Sequence, residues 1–199
     1  MEAGLAAAAH VYEEAVSSPQ SLQGAASIVA ARNGRVVLAS SFGSAEGTGA
    51  ESIFMMASIT KPVTALAFMM LVEEGRVSLA DEACMYLPEF GEGERANVTV
   101  GQLLSHTCGL PDMLPGNTAL REARAPLSTF VTETFTTPLL FSPGTDFSYS
   151  SMGILLAAEI LERISGQPIR DFMRERYPLL FQTFQRLPLI NCPTILVNL

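Results

Sequence analysis

The sequence predicts a chain of the α/β class, of the α+β type: one early antiparallel hairpin and then a long run of helices. Three observations carry this. Asn33-Gly34 stands between two β-branched runs, 27–31 and 35–39, which is the strongest short-range hairpin signal. Leu5, Ala8, Val11, Tyr12, Ala15 and Val16 recur at helical spacing. From Thr99 onward, capping and stop residues repeatedly bracket apolar stretches of helical period.

Taken in order, residues 3–17 form an amphipathic helix that stops before Pro19. The hairpin follows, and the Gly/Ser/Glu-rich stretch from Ser41 to Ser52 is a loop. Pro62 belongs in the first turn of a helix, where its missing N–H would have no partner anyway, so the helix carrying Ala65 to Glu74 starts near Ser58 and ends at Gly75. Ser78 to Asp81 resembles a helix start, closed by Pro88. Thr99 and Gln102 form a capping box for a helix reaching about His106, stopped by Gly109 and Pro111. Residues 112–127 are irregular, and 127–136 form a helix whose threonines also suit a strand. Pro143-Gly144 is a turn, Tyr149-Ser150-Ser151 caps a helix over 152–164, Gly166 ends it, and 171–176 begin another.

At 199 residues, with 48% hydrophobic content, the chain can bury a sizeable core. A net charge of −8 disfavours nucleic acid and anionic membrane as partners. No apolar run reaches the roughly 18 residues of a membrane span, and the first residues lack a signal-peptide pattern, so the expected location is cytoplasmic. Cys84, Cys108 and Cys192 form neither a disulfide framework nor a metal-ligand spacing, and no metal or cofactor is expected. The Gly-rich stretch 91–96 follows no clear strand, and its glutamates would repel a pyrophosphate.

The chemistry concentrates at Ser58 and Lys61, three residues apart and therefore on one helical face. A serine hydroxyl needs a base to become a nucleophile, and a desolvated lysine can be that base. Lys61 is the only lysine, and arginine cannot deprotonate near neutral pH. A lone Ser-x-x-Lys is a weak signal, because roughly one arises by chance in a chain this long. Tyr149 has two readings, a core residue beside capping serines or a phenol sharing a proton with the nucleophile. His106 is either catalytic or, more often at such a helix end, a histidine that fixes a loop.

Together, Phe54 to Thr64 with its Ser58-Ile59-Thr60-Lys61, the stretch 71–81, 86–90, Leu103 to Pro111 and 147–153 resemble, in order and spacing, the serine β-lactamase-related family. That family includes class C β-lactamases, penicillin-binding DD-peptidases and related esterases. The resemblance implies a β-lactamase/transpeptidase-like fold, an antiparallel sheet with flanking helices plus an all-α lobe. It also implies Ser58 as acylated nucleophile, Lys61 as its proton acceptor and Tyr149 as the tyrosine of a Tyr-x-Asn motif. Ser151 stands at the asparagine position of that motif and would face substrate. After Asp171 there is no histidine, lysine or glycine, so the family's Lys/His-Ser/Thr-Gly motif cannot lie there and the C-terminal strands are expected to be missing. The expected organisation is a partial family domain over 1–176, with a helix and hairpin at 3–40, a helical part at 58–176 and a divergent tail at 177–199. The expected function is a serine hydrolase acting on a small molecule: a β-lactam, a D-amino-acid peptide or a small ester. The alternative is a catalytically incomplete fragment with a binding role.

Overall fold

The computed structural model describes residues 2–18, 25–43 and 57–176, which fall into two units divided after the hairpin. In the first unit, helix α1 (Glu2–Ser17) packs on a hairpin of β1 (Ala25–Arg32) and β2 (Arg35–Gly43), with Val16 buried. Asn33 and Gly34 both take positive φ, 52° and 74°, which is what a two-residue turn between right-twisted strands requires. The antiparallel register runs from Arg32↔Arg35 to Ala25↔Gly43 and slips between Ala30 and Ala31, leaving Val37 as the extra residue of a bulge. Ser41 to Gly43 therefore lie in a strand, not in the expected loop. The Ser27 and Ser41 hydroxyls pair across the ladder at 2.8 Å, so serine here marks a cross-strand contact rather than a break. The rest of that expected loop and the tail after Arg176 lie outside the described residues.

The second unit is helical. Helix α6 (Ser151–Ser165) is its axis: Met152 through Ala158, Ile160 and Leu161 are all buried, so apolar partners surround it. Against it pack α2 (Thr60–Glu73) with Ala67, Phe68 and Leu71, and α3 (Val100–Leu104) with Val100 and Leu103. Helices α5 (Leu127–Thr136) and α7 (Ile169–Arg176) contribute Val131, Phe135, Phe172 and Met173. Gly153 lets α3 approach closely, because a Cβ there would sit 2.9 Å from the Leu103 carbonyl oxygen.

Local signals explain most boundaries. Ser150 caps α6 by accepting the Gly153 N–H, and Thr99 and Gln102 make the full reciprocal box at α3. Helix α5 absorbs its threonines because the Thr132 and Thr134 hydroxyls donate to carbonyls one turn back. Three expectations need correction. Ser78 to Asp81 is a turn rather than a helix start: the Asp81 carboxylate closes back on the Ser78 N–H and also takes the Tyr86 hydroxyl, but the chain then leaves into an antiparallel bridge between Glu82 and Thr99. Pro88 opens a 3-10 turn, Pro88–Phe90, instead of closing a helix. Within the stretch read as irregular, 117–122 form the short helix α4 (Asn117–Glu122), too brief to show a period.

Candidate active site

Helix α2 is preceded by a 3-10 turn, Ala57–Ile59, so Ser58 sits one turn ahead of Lys61 at the positive end of the helix. No side chain among the described residues caps this start, and Pro62 has no N–H to offer. Lys61 Nζ donates to Ser58 Oγ at 3.2 Å. Ser58 is exposed while Lys61 is only 9% exposed, so a surface hydroxyl rests on a buried amine. Ala57, just before the nucleophile candidate, takes φ 47°, a left-handed conformation that costs a non-glycine residue about 1 kcal/mol or more.

Tyr149 is 41% exposed and lies over the same amine, with Lys61 Nζ 4.8 Å from its ring centroid. Lys61 first and Ser58 second hold its phenol below the usual tyrosine range, since both favour the phenolate by hydrogen bonding. Of the two sequence readings of Tyr149, the structure has the exposed phenol beside the Ser58–Lys61 pair, not the core residue.

The segment carrying Tyr149 is tied to the loop after α3. The Ser148 N–H donates to the His106 carbonyl at 3.0 Å, and the Ser150 N–H donates to His106 Nδ1 at 3.1 Å. The Ser150 hydroxyl donates to the Pro111 carbonyl at 2.9 Å. Both the N–H and the hydroxyl of Ser151 donate to Asp112 Oδ1, at 3.0 and 2.6 Å. The His106 ring faces that of Tyr149 at 4.7 Å between centroids. Ser151 thus stands next to the site, with its hydroxyl hydrogen directed at Asp112. Asp112 is absent from the sequence expectations, because nothing in Leu110-Pro111-Asp112 tells that its partner is 39 residues away. Among the described residues, no group of three or more His, Cys, Asp or Glu side chains is placed to hold a metal ion. No described helix is long and apolar enough to cross a membrane.

With this geometry the chain is comparable to known proteins. It is 32% identical over 156 residues to penicillin-binding protein 4* of Bacillus subtilis, covering 74% of this chain and 34% of that protein. It is 31% identical over 179 residues to esterase EstB of Burkholderia gladioli, covering 80% of this chain and 45% of that one. A D-stereospecific amidohydrolase from Streptomyces sp. superposes with a TM-score of 0.71 at 26% identity, over 89% of this chain and 55% of the other. The chain spans less than half the length of these two curated relatives. The fold is thus β-lactamase/transpeptidase-like, as the motifs implied. The β-lactamase family model matches residues 13–177, which contain both the Ser58–Lys61 turn and Tyr149, and the chain belongs to that family.

Proposed function

We propose that the chain is the catalytic part of a serine hydrolase that forms an acyl-enzyme on Ser58. The observation that carries this is the 3.2 Å contact between the buried Lys61 amine and the exposed Ser58 hydroxyl, with the Tyr149 phenol against the same amine. In the first half-reaction Ser58 Oγ attacks the substrate carbonyl carbon and its proton passes to the unprotonated form of Lys61. Negative charge developing on the carbonyl oxygen is favoured by the uncapped start of α2. Tyr149, acidified by its neighbours, hands a proton to the leaving group and is reprotonated from Lys61. In the second half-reaction water repeats the sequence on the ester of Ser58 and releases the acid.

The substrate class proposed is a small acyl compound: a β-lactam, a D-amino-acid peptide or a small ester. Ser151 gives its hydroxyl proton to Asp112, so it offers a ligand a lone pair and no side-chain N–H. A small ester asks least of that position. The decisive experiment is mass spectrometry of the full chain after exposure to a fluorophosphonate or β-lactam probe, with Ser58→Ala as control. The expected result is a single adduct on Ser58 that the variant lacks. The alternative is a family member that binds through this site without turnover. A cooperatively melting chain whose Ser58 stays unlabelled would select that reading.

A further inference from the structure

His106 takes no step in the reaction above, yet its position is a demanding one. It follows the C-terminal residues of α3 with φ 62°, and the Thr107 N–H closes back on the Gln102 carbonyl at 3.1 Å. This is the helix stop that normally uses glycine, because the left-handed conformation brings a Cβ too close to the following carbonyl. A histidine here is strained unless its side chain gives something back. That side chain makes three contacts: its Nδ1 accepts the Ser150 N–H at 3.1 Å, its ring faces Tyr149 at 4.7 Å between centroids, and it stands perpendicular to the Phe147 ring at 6.0 Å between centroids. Its carbonyl takes the Ser148 N–H as well. The residues on either side of Tyr149, Ser148 and Ser150, therefore both hang by their N–H groups from one residue.

We infer that His106 is the positioning residue for Tyr149, holding the phenol over Lys61 only while Nδ1 is unprotonated. This rests on the serine-hydrolase reading for its consequence in rate, but not for its geometry. An imidazole that accepts at Nδ1 carries its hydrogen on Nε2. Protonation would set an Nδ1–H against the Ser150 N–H and release that side of the segment. The charged and titratable groups facing the ring are Lys61 on α2, Asp112 in the loop after α3 and Tyr149 itself. Burial first, and the Lys61 charge, hold the imidazole below the usual histidine range, with Asp112 acting against them; the Ser150 N–H, by donating to Nδ1, favours the same neutral form. The neutral acceptor form is accordingly the one present near neutral pH.

The test uses the full chain in two measurements. In the first, NMR follows the ring resonances of His106 and Tyr149 between about pH 8 and about pH 5, the range in which a histidine changes charge. His10→Gln and Tyr149→Phe assign the signals, since the chain has two histidines and four tyrosines. The Tyr149 resonances are expected to shift with the His106 midpoint while those of Tyr12 and Tyr86 do not. Tyr149 signals that ignore the His106 titration would overturn the inference, whether or not Ser58 is ever labelled. In the second, the rate of Ser58 labelling is measured against pH in the parent and in His106→Asn. Asparagine tolerates the left-handed backbone and keeps an acceptor, but has no ring and no proton to gain. Labelling is expected to fall about three- to tenfold at neutral pH, the scale of one lost aromatic contact, and the acid limb at the His106 midpoint is expected to vanish. An unchanged rate with an unchanged acid limb would assign His106 a purely structural role. Absence of labelling in the parent would defeat the serine-hydrolase reading alone and leave the NMR coupling to decide the role of His106.

Discussion

Ser58 and Lys61 are joined by one turn of backbone, whereas Tyr149 reaches the same amine on a segment held by residues about forty positions away. The first arrangement needs only a helix start with Pro62 in its first turn. The second needs a helix stop at His106, an acceptor on Pro111, a carboxylate on Asp112 and a cap on Ser150, all in place at once. Local geometry survives small shifts in packing, because its atoms move together. Long-range geometry does not, because each tie depends on a different element. The Ser58–Lys61 pair should therefore be the robust half of the site and the phenol the sensitive half.

The largest expected effect separates the two halves from the nucleophile side. Lys61→Arg keeps a cation at the site but removes the only amine able to take a proton there. Ser58 labelling should fall by about 10²–10⁴-fold, the usual contribution of a positioned base, while the His106–Tyr149 titration coupling stays. Equal loss of both would show that the two halves are one structural unit.

A smaller effect should come from the phenol side. In Gly153→Ala the new Cβ would stand 2.9 Å from the Leu103 carbonyl oxygen, 3.3 Å from Cys108 Sγ and 3.5 Å from Ser150 Oγ. Helix α6 must then back away from α3, and the cap residue beside Tyr149 moves with it. Overpacking of this kind costs about 1–3 kcal/mol, and the helix-favouring alanine recovers part of it. Chemical denaturation should read a loss near the lower end of that range. Labelling should drop about tenfold, with the acid limb displaced rather than the nucleophile lost. A variant with parent-like stability and rate would mean that α3 and α6 are looser than their contacts imply.

The smallest effect is expected far from both halves. Arg163 donates to both oxygens of Glu89, at 3.0 and 3.1 Å, and to Glu159 at 2.9 Å. Arg163 lowers the Glu89 carboxyl below its usual range. A depressed carboxyl stabilises the fold above its unfolded pKa, and that stabilisation is lost as pH falls through the folded value. Glu89 is half-exposed, so screening limits the pair to under about 1 kcal/mol. Glu89→Gln should lower the melting temperature slightly at neutral pH and not at all in acid, and should leave labelling unchanged. Any change in labelling would extend the sensitive region beyond the loops around Tyr149.

Much of this was legible in the sequence because it is local. Asn33-Gly34 marked the turn, the Thr99–Gln102 box marked the start of α3, and Gly75 and Gly166 marked helix ends. Ser58, Lys61 and Pro62 marked the turn at the start of α2 together, each through its own backbone or side-chain requirement. Other features were hidden because their signals are ambiguous in one dimension. Ser41 and Gly43 look like loop residues until the partner strand is known, and Ser78 to Asp81 look like a helix start until Glu82 pairs with Thr99. Helix α4 has too few residues to show a period. The stop at His106 was masked by Gly109, the more usual residue for that purpose.

By itself the chain order determined the hairpin, the start of α2 and the contact between Ser58 and Lys61, because those interactions span no more than a few residues and follow from backbone geometry. The place of Tyr149, the partner of the Ser151 hydroxyl and the histidine in a glycine's position at the end of α3 all came from packing. Those depend on groups about forty residues apart that meet only when α3 and the start of α6 pack together.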